Sequence, residues 1–363
     1  MKINIFYGPM KEFNSKIPTE DTISLSEMVR WSDARRSNPI EDELIGTYNY
    51  LTISTEEYGG VTDAFIERFI ISILIYQNRL GYTEIFLHNP PTRVYDQIQI
   101  YKNHFELLIQ CTSYPRTTKK ALKEIKDNFN KKILGQDQAK IEILTALYDL
   151  SNNYDSKPKI IMLYGPPGVG KTETAHFINQ AINQDNRLLR KQFSMYHNDS
   201  FYSYIFGDRT NSFAKDLIDR ESNVILLDEF DKCNNIFYSA FYQLFDEGIY
   251  EDKYYQVNLQ NAVILCTSNY LSESDIRKNL GDAIFSRFDA FIKFQAFSNE
   301  VKEQLIDNIF NEEISKYPEE DIQIISQFNI PNLLSQHLSA INNVRDIRRY
   351  ITQMIATPLI DNI

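Results

Sequence analysis

Cysteine is scarce in this 363-residue chain: Cys111, Cys233 and Cys266 are the whole set. They are odd in number and far apart, which excludes a disulfide framework or a cysteine zinc site and points to a reducing, cytoplasmic setting. The five histidines lack the spacing a metal needs. Long apolar runs are missing as well. The strongest, FIISILIY at 69–76, is too short to cross a bilayer, and MKINIFYGP has neither the apolar region nor the small-residue cleavage site of a signal peptide. No membrane partner is expected. Positive charge is in deficit, with 38 Lys and Arg against 49 Asp and Glu and a formal net charge of −11. That balance opposes loose binding to nucleic acid, which depends on clustered basic side chains. No internal repeat or low-complexity tract occurs.

The length calls for two or three units with their own cores. MKINIFYGP reads as a strand, and the apolar residues Phe65, Phe69, Ile73 and Tyr76 fall on a helical period between Asp63 and Arg79. YTEIFLHNPP reads as the second strand, TRVYDQIQIYKNHF as a helix and FELLIQCTSYP as a third strand, so residues 1–128 form a separate N-terminal α/β domain without a catalytic motif. TTKKALKEIKDNFNKK, charged and helical in composition, reads as a connector. From Ile133 the character changes. A helix carries Ile141, Leu144, Leu147 and Tyr148 at core spacing, and QFSM, NVILLDEF and NAVILCTSN read as buried strands of a parallel sheet covered on both faces. Residues 129–299 make up this larger α/β unit. Residues 300–363 read as a small helical lid, with Leu305, Ile306, Ile309, Leu334, Leu338, Ile347 and Ile351 at helical spacing.

KIIMLYGPPGVGKTETAHFINQAI is strand, glycine-rich loop and helix, and Gly165-Pro166-Pro167-Gly168-Val169-Gly170-Lys171-Thr172 is a complete P-loop in the context the motif requires. Its backbone N–H groups and the helix N-terminus would surround the phosphates of ATP, Lys171 would reach the β and γ oxygens, and Thr172 would bind Mg²⁺. NVILLDEF ends in Asp228, placed to hold the metal, and Glu229, placed to orient and deprotonate a water. Thr267, Ser268 and Asn269 end a neighbouring strand, where Asn269 can hold the water or the γ-phosphate.

These pieces in this order resemble an AAA+ ATPase of the Clp type, over about residues 130 to 356. Leu134-Gly135-Gln136-Asp137 is similar to the branch's adenine-side turn, and Asp246-Glu247-Gly248 to its acidic turn. Phe285-Ser286-Arg287-Phe288-Asp289 resembles the arginine-finger segment, and Val344-Arg345-Asp346-Ile347-Arg348-Arg349 the lid motif. The resemblance implies an ATP- and Mg²⁺-dependent ATPase. Ile133, Leu134, the P-loop, Glu173 and Arg345 would contact the nucleotide, and Arg287 would reach the neighbouring subunit's site. It also implies a homo-oligomer, by the family's habit a hexamer.

One departure bears on function. Clp-type unfoldases grip a polypeptide with an aromatic loop between the P-loop helix and the acidic strand. Here SYIFG resembles the start of that loop and FAKDLI its end, and only Asp208-Arg209-Thr210-Asn211-Ser212 lies between, with no aromatic at the tip. The short stretch NYLSESDIRKNLGDAIF leaves no room for a peptidase-docking loop. The expectation is an ATP-driven machine that remodels a specific protein partner chosen by its N-terminal domain. The alternatives are a DNA-associated switch or loader, with Arg209, Lys119, Lys120, Lys131 and Lys132 as its support, and a nucleotide-gated component of a defence system. The tyrosines of IYEDKYYQV read as structural rather than base-stacking.

Overall fold

Two parallel sheets flanked by helices follow one another along the chain, and a helical bundle ends it. The structure, a computed structural model, describes residues 1–37, 48–152, 157–195 and 198–360. His197, one of the five histidines weighed above, lies outside these residues.

The first sheet contains β1 (Lys2–Tyr7), β2 (Thr22–Ser24), β3 (Tyr50–Ile53), β4 (Glu84–His88) and β5 (Glu106–Cys111) in the order β2-β3-β4-β1-β5, all parallel. Ile3, Ile5, Leu51, Ile53, Ile85 and Leu87 are buried in its core against Phe69, Ile73, Val94 and Ile98 from the crossover helices. Sequence reasoning found β1, β4 and β5 but missed β2 and β3, because three- and four-residue strands are too short for a period-2 signal. The predicted helix from Asp63 also breaks, into Asp63–Glu67 and Phe69–Leu80.

The second sheet contains β6 (Lys159–Tyr164), β7 (Leu189–Gln192), β8 (Val224–Asp228), β11 (Val263–Ser268) and β12 (Ala290–Lys293) in the order β12-β6-β11-β8-β7, again parallel. Between β8 and β11, β9 (Ile249–Glu251) and β10 (Gln256–Asn258) pair as an antiparallel hairpin. Tyr250 and Tyr255 of this hairpin segment are buried, so they serve packing. The unbroken apolar runs of β8 and β11 are buried on both faces, as central strands of a covered parallel sheet must be. Each fully buried Ile or Leu there contributes about 1.5–3 kcal/mol.

Three details depart from the sequence reading. The strand expected at QFSM ends at Gln192 and is a partly exposed edge strand, while Phe193–Met195 is a 3-10 turn. In the helix Asp137–Tyr148 the buried face is Ala139, Ile143 and Leu147, and Ile141 and Tyr148 face outward. The connector is a packed helix, Lys119–Lys132, capped by Thr118 Oγ1 and buried through Ala121, Leu122, Ile125 and Phe129 in the core beside the P-loop helix. Its charged side chains are exposed.

Among the described residues from Asn299 onward the chain is helical, around a core of Ile306, Ile309, Ile325, Leu334, Ile347 and Ile351.

The first sheet's unit sits directly on the second. Thr92 N donates to Tyr254 O (2.8 Å), Met10 N to Asp219 Oδ1 (2.8 Å), Tyr114 Oη to Arg220 O (3.0 Å) and Arg209 Nη1 to Val61 O (2.5 Å).

Candidate functional site

The loop from β6 to the helix Lys171–Asn183 turns back on itself through left-handed glycines, and two of them admit no side chain. A Cβ on Gly165 (φ +138°) would meet Phe294 O at 2.3 Å, and one on Gly168 (φ +72°) would meet Asn343 Cβ at 2.7 Å. The backbone is therefore held tightly between β12's end and the lid, with its amides free to face a ligand.

Lys171 is buried, and Nζ donates to Gly165 O (2.6 Å), Pro166 O (2.7 Å) and Asn269 Oδ1 (3.2 Å). Burial pulls its pKa down to about 8, against the opposing pull of Asp231 and Asp228. An ammonium solvated only by neutral oxygens suits a polyphosphate, which supplies the missing negative charge.

Parallel register brings β8 and β11 to the same level, with Leu227 opposite Cys266. Thr267 Oγ1 donates to Asp228 Oδ1 (2.5 Å) and accepts from Glu229 N (2.9 Å), tying together the two acidic residues. Asp228 Oδ1 also lies 3.5 Å from Thr172 Oγ1, so the two metal-ligand candidates face each other and their oxygens suit a hard divalent cation. Glu229 takes a left-handed backbone (φ +54°) that a non-glycine residue adopts rarely, which sets its carboxylate at the sheet's end.

These residues open into a cavity of about 810 Å³ between sheet and lid. Ile133, Leu134, Pro167, Gly168, Val169, Gly170, Lys171, Thr172, Glu173, Asp228, Glu229, Asn269 and Arg345 all line it. Phe297, Leu305 and Ile309 add an apolar wall beside Ile133. Gln136 anchors the turn before this wall, exchanging hydrogen bonds with Gln295 backbone N and O (2.9 and 3.0 Å). Val344 N donates to Gly168 O (3.2 Å), so the lid touches the P-loop itself.

Arg287 is not brought to this cavity. Its Nε donates to Asp246 Oδ2 (2.9 Å), its Nη1 to Ala283 O (2.5 Å), and its guanidinium lies 4.3 Å from the Tyr242 ring.

Sequence reasoning missed two residues on β7. Arg190 donates to Asp228 Oδ2 through Nε (2.9 Å) and Nη2 (2.5 Å), and Gln192 Nε2 donates to Glu229 Oε2 (3.2 Å). Placing the strand at QFSM hid them; with LRKQ as the strand, their alternation puts both on one face opposite the acidic strand.

The shortened loop is engaged too. Arg209, beyond its bond to Val61 O, lies 3.5 Å from Asp63 Oδ1, and Gly59 packs against the backbone at Arg209 and Thr210. Lys215 Nζ braces the loop from behind, donating to Arg209 O (3.2 Å) and Thr210 O (3.1 Å). Lys131 and Lys132 line the nucleotide cavity. Three of the five basic residues behind the DNA alternative thus have other engagements.

The family model of the AAA domain (Cdc48 subfamily) matches residues 157–317. Residues 157–317 thus carry the likeness to an AAA domain. Among similar proteins, the chain is 23% identical over 285 residues to the chaperone protein ClpB of Clostridium tetani, covering 69% of this chain and 33% of that protein. It is 24% identical over 266 residues to the ATP-dependent Clp protease ATP-binding subunit ClpL of Staphylococcus aureus, covering 66% and 38%. The chain thus spans about a third of the length of the curated relatives it matches. A chain in the closed-state cryo-EM reconstruction of Hsp104 with ATPγS and FITC-casein shares the fold at a TM-score of 0.54 and 11% identity, over 98% of this chain and 86% of that one. An α/β architecture with a helical C-terminal region is shared with it. Among the described residues no helix is long and apolar enough to cross a membrane.

Proposed function

We propose that this AAA+ chain hydrolyses ATP within a homo-oligomer and uses the stroke to move its own N-terminal domain, and with it a specific protein bound there. The carrying observation is the tip Asp208–Ser212. The segment that resembles an unfoldase's gripping loop is bonded to the N-terminal domain at Val61 and packed against Gly59. A loop in that state has no free aromatic with which to hold an arbitrary polypeptide.

Within the nucleotide cavity, Lys171 binds the β and γ phosphates and Asn269 holds the γ-phosphate or the water. Glu229 takes the water's proton, and Gln192 orients that carboxylate by its 3.2 Å hydrogen bond. Thr172 and Asp228 would hold Mg²⁺, whose charge would offset that of the phosphates. Arg190 holds Asp228 by Oδ2 and leaves Oδ1 turned toward Thr172. Arg345 reaches the nucleotide from the lid, and Val344's contact with Gly168 passes the change in occupancy to the lid. Arg287, remote from its own site, serves the next subunit's, which requires a head-to-tail assembly; a hexameric ring is the form we favour. Neither a membrane nor a partner peptidase has a part in this scheme.

The experiment is a pull-down from native lysate with Glu229→Gln held in ATP and Lys171→Ala as control. A protein captured only by Glu229→Gln, and captured less when Arg209→Ala removes the loop's bond to Val61, supports the proposal. Capture of nuclease-sensitive DNA or RNA instead would favour the DNA-associated reading.

A further inference from the structure

A second cavity, about 320 Å³, lies where the carboxyl ends of β1 and β5 meet the hairpin β9–β10, away from the P-loop. Tyr7, Gly8, Cys111, Tyr114, Arg220 and Gln256 are among the residues that line it. In an open parallel α/β sheet the crevice beyond the carboxyl ends of the strands is where ligands enter. Here the ATPase core forms the opposite wall, so the cavity belongs to both units.

Arg220 is the unusual group. It is 5% exposed, and burial lowers its pKa from the ordinary arginine value. Nη1 donates to Leu217 O (2.6 Å) and Nη2 to Asn223 Oδ1 (3.2 Å) and Asn258 O (3.4 Å). Tyr114 covers its face at 4.1 Å. Nε has no hydrogen-bond partner. Among the described residues no carboxylate comes within ion-pair distance of it. The adjacent Asp219 is turned elsewhere, accepting from Met10 N and lying 3.8 Å from His88 Nε2. Amide oxygens and a ring face solvate a guanidinium only in part, and a buried cation without a counter-charge is costly. The cavity also exceeds the needs of a bare ion. Tyr7 and Tyr114 offer aromatic surface, and Gln256 offers an amide able to donate and accept at a ring edge.

We propose that this cavity binds a small phosphate-bearing molecule of nucleoside monophosphate size, its anion facing Arg220 and its ring lying among Tyr7, Tyr114 and Gln256. The site is separate from the P-loop and stands whether or not the chain moves its N-terminal domain. A ligand there bridges the two units.

Cys111 provides a local readout, being the exposed cysteine while Cys233 and Cys266 are buried. The test follows alkylation of Cys111 by neutral iodoacetamide in full-length Lys171→Ala, which silences the P-loop, with adenosine monophosphate, inorganic phosphate or adenosine added. The expected result is saturable slowing by adenosine monophosphate, about tenfold at ten times its dissociation constant. Protection by inorganic phosphate as well supports the anion contact as sufficient; protection by the nucleotide alone supports a ring contribution. Equal protection by adenosine, or no protection by any probe, overturns the proposal. Arg220→Met keeps the side-chain volume without the charge. If this variant folds, it should lose the protection, and protection retained there would overturn the proposal; if it does not fold, the probe comparison still decides.

Discussion

Arg209 Nη1 donates to Val61 O across 2.5 Å, joining the P-loop unit to the first sheet's unit through the loop that resembles a Clp-type gripping loop. Asp63 stands 3.5 Å from the same guanidinium, and Lys215 holds the loop's carbonyls from behind. The contact is partly exposed, so its weight lies in position more than in energy. Arg209→Ala should cost about 1–2 kcal/mol and speed hydrogen exchange at residues 59–63 and 207–212, while nucleotide binding is unchanged. Exchange mass spectrometry reads this directly; unaltered protection would mean the two units are held by their other contacts.

Lys171→Ala should abolish nucleotide binding, since Nζ is the buried cation that would meet the phosphates. Glu229→Gln should keep binding and lose turnover by about 10²–10⁴-fold, the usual worth of a positioned general base. Fluorescent-nucleotide titration with a phosphate-release assay separates the two effects. Turnover undiminished in Glu229→Gln would remove Glu229 from its role.

Thr267→Val tests the tie between the two acidic residues. Thr267 Oγ1 donates to Asp228 and accepts from Glu229 N, and valine does neither. Leaving a buried amide without a partner should cost about 1–3 kcal/mol, and turnover should fall more than affinity because Glu229's backbone is what loses its anchor. A drop in melting temperature with unchanged turnover would assign Thr267 to stability alone.

The burial of Asp219 and of His88 predicts a pH dependence. Burial raises Asp219 to about 6 and lowers His88 to about 4. An acid raised in the folded state is stabilising while protonated, and that contribution is lost as pH rises from its unfolded value near 4 through about 6. A histidine lowered in the folded state does the opposite, adding stability as pH rises from about 4 to its unfolded value near 6.5. The two effects oppose one another in wild type. Asp219→Asn removes the first, so the variant should be more stable than wild type at pH 7, by under about 1 kcal/mol because the carboxylate is half-exposed. Its advantage should vanish below about pH 4. Melting temperatures across pH 4–8 decide; an advantage that grows toward acid would reverse the assignment.

The placement of the site's residues around one cavity was legible in the sequence because it rests on local patterns. A P-loop between a strand and a helix fixes Lys171 and Thr172, and an apolar strand ending in Asp228-Glu229 declares itself. Arg190 and Gln192 were hidden because β7 is a partly exposed edge strand whose polar residues look like a loop, and QFSM beside it is more apolar. β2 and β3 are too short to show alternation and exist only by pairing in the sheet. The helix Lys119–Lys132 passed for a connector because its charges mask the buried spacing of Leu122, Ile125 and Phe129. Nothing in Asp208–Ser212 could reveal its engagement, since the partner carbonyl lies 148 residues away in the chain.

The most direct test compares hydrogen exchange at residues 59–63 and 207–212 in Glu229→Gln held in ATP with the same protein in ADP. A change in protection of both segments together, absent in Lys171→Ala, is the predicted result. Protection that is identical in the two nucleotides, with wild-type protein unfolding an arbitrary tagged substrate in ATP, would contradict the claim that the stroke moves the N-terminal domain.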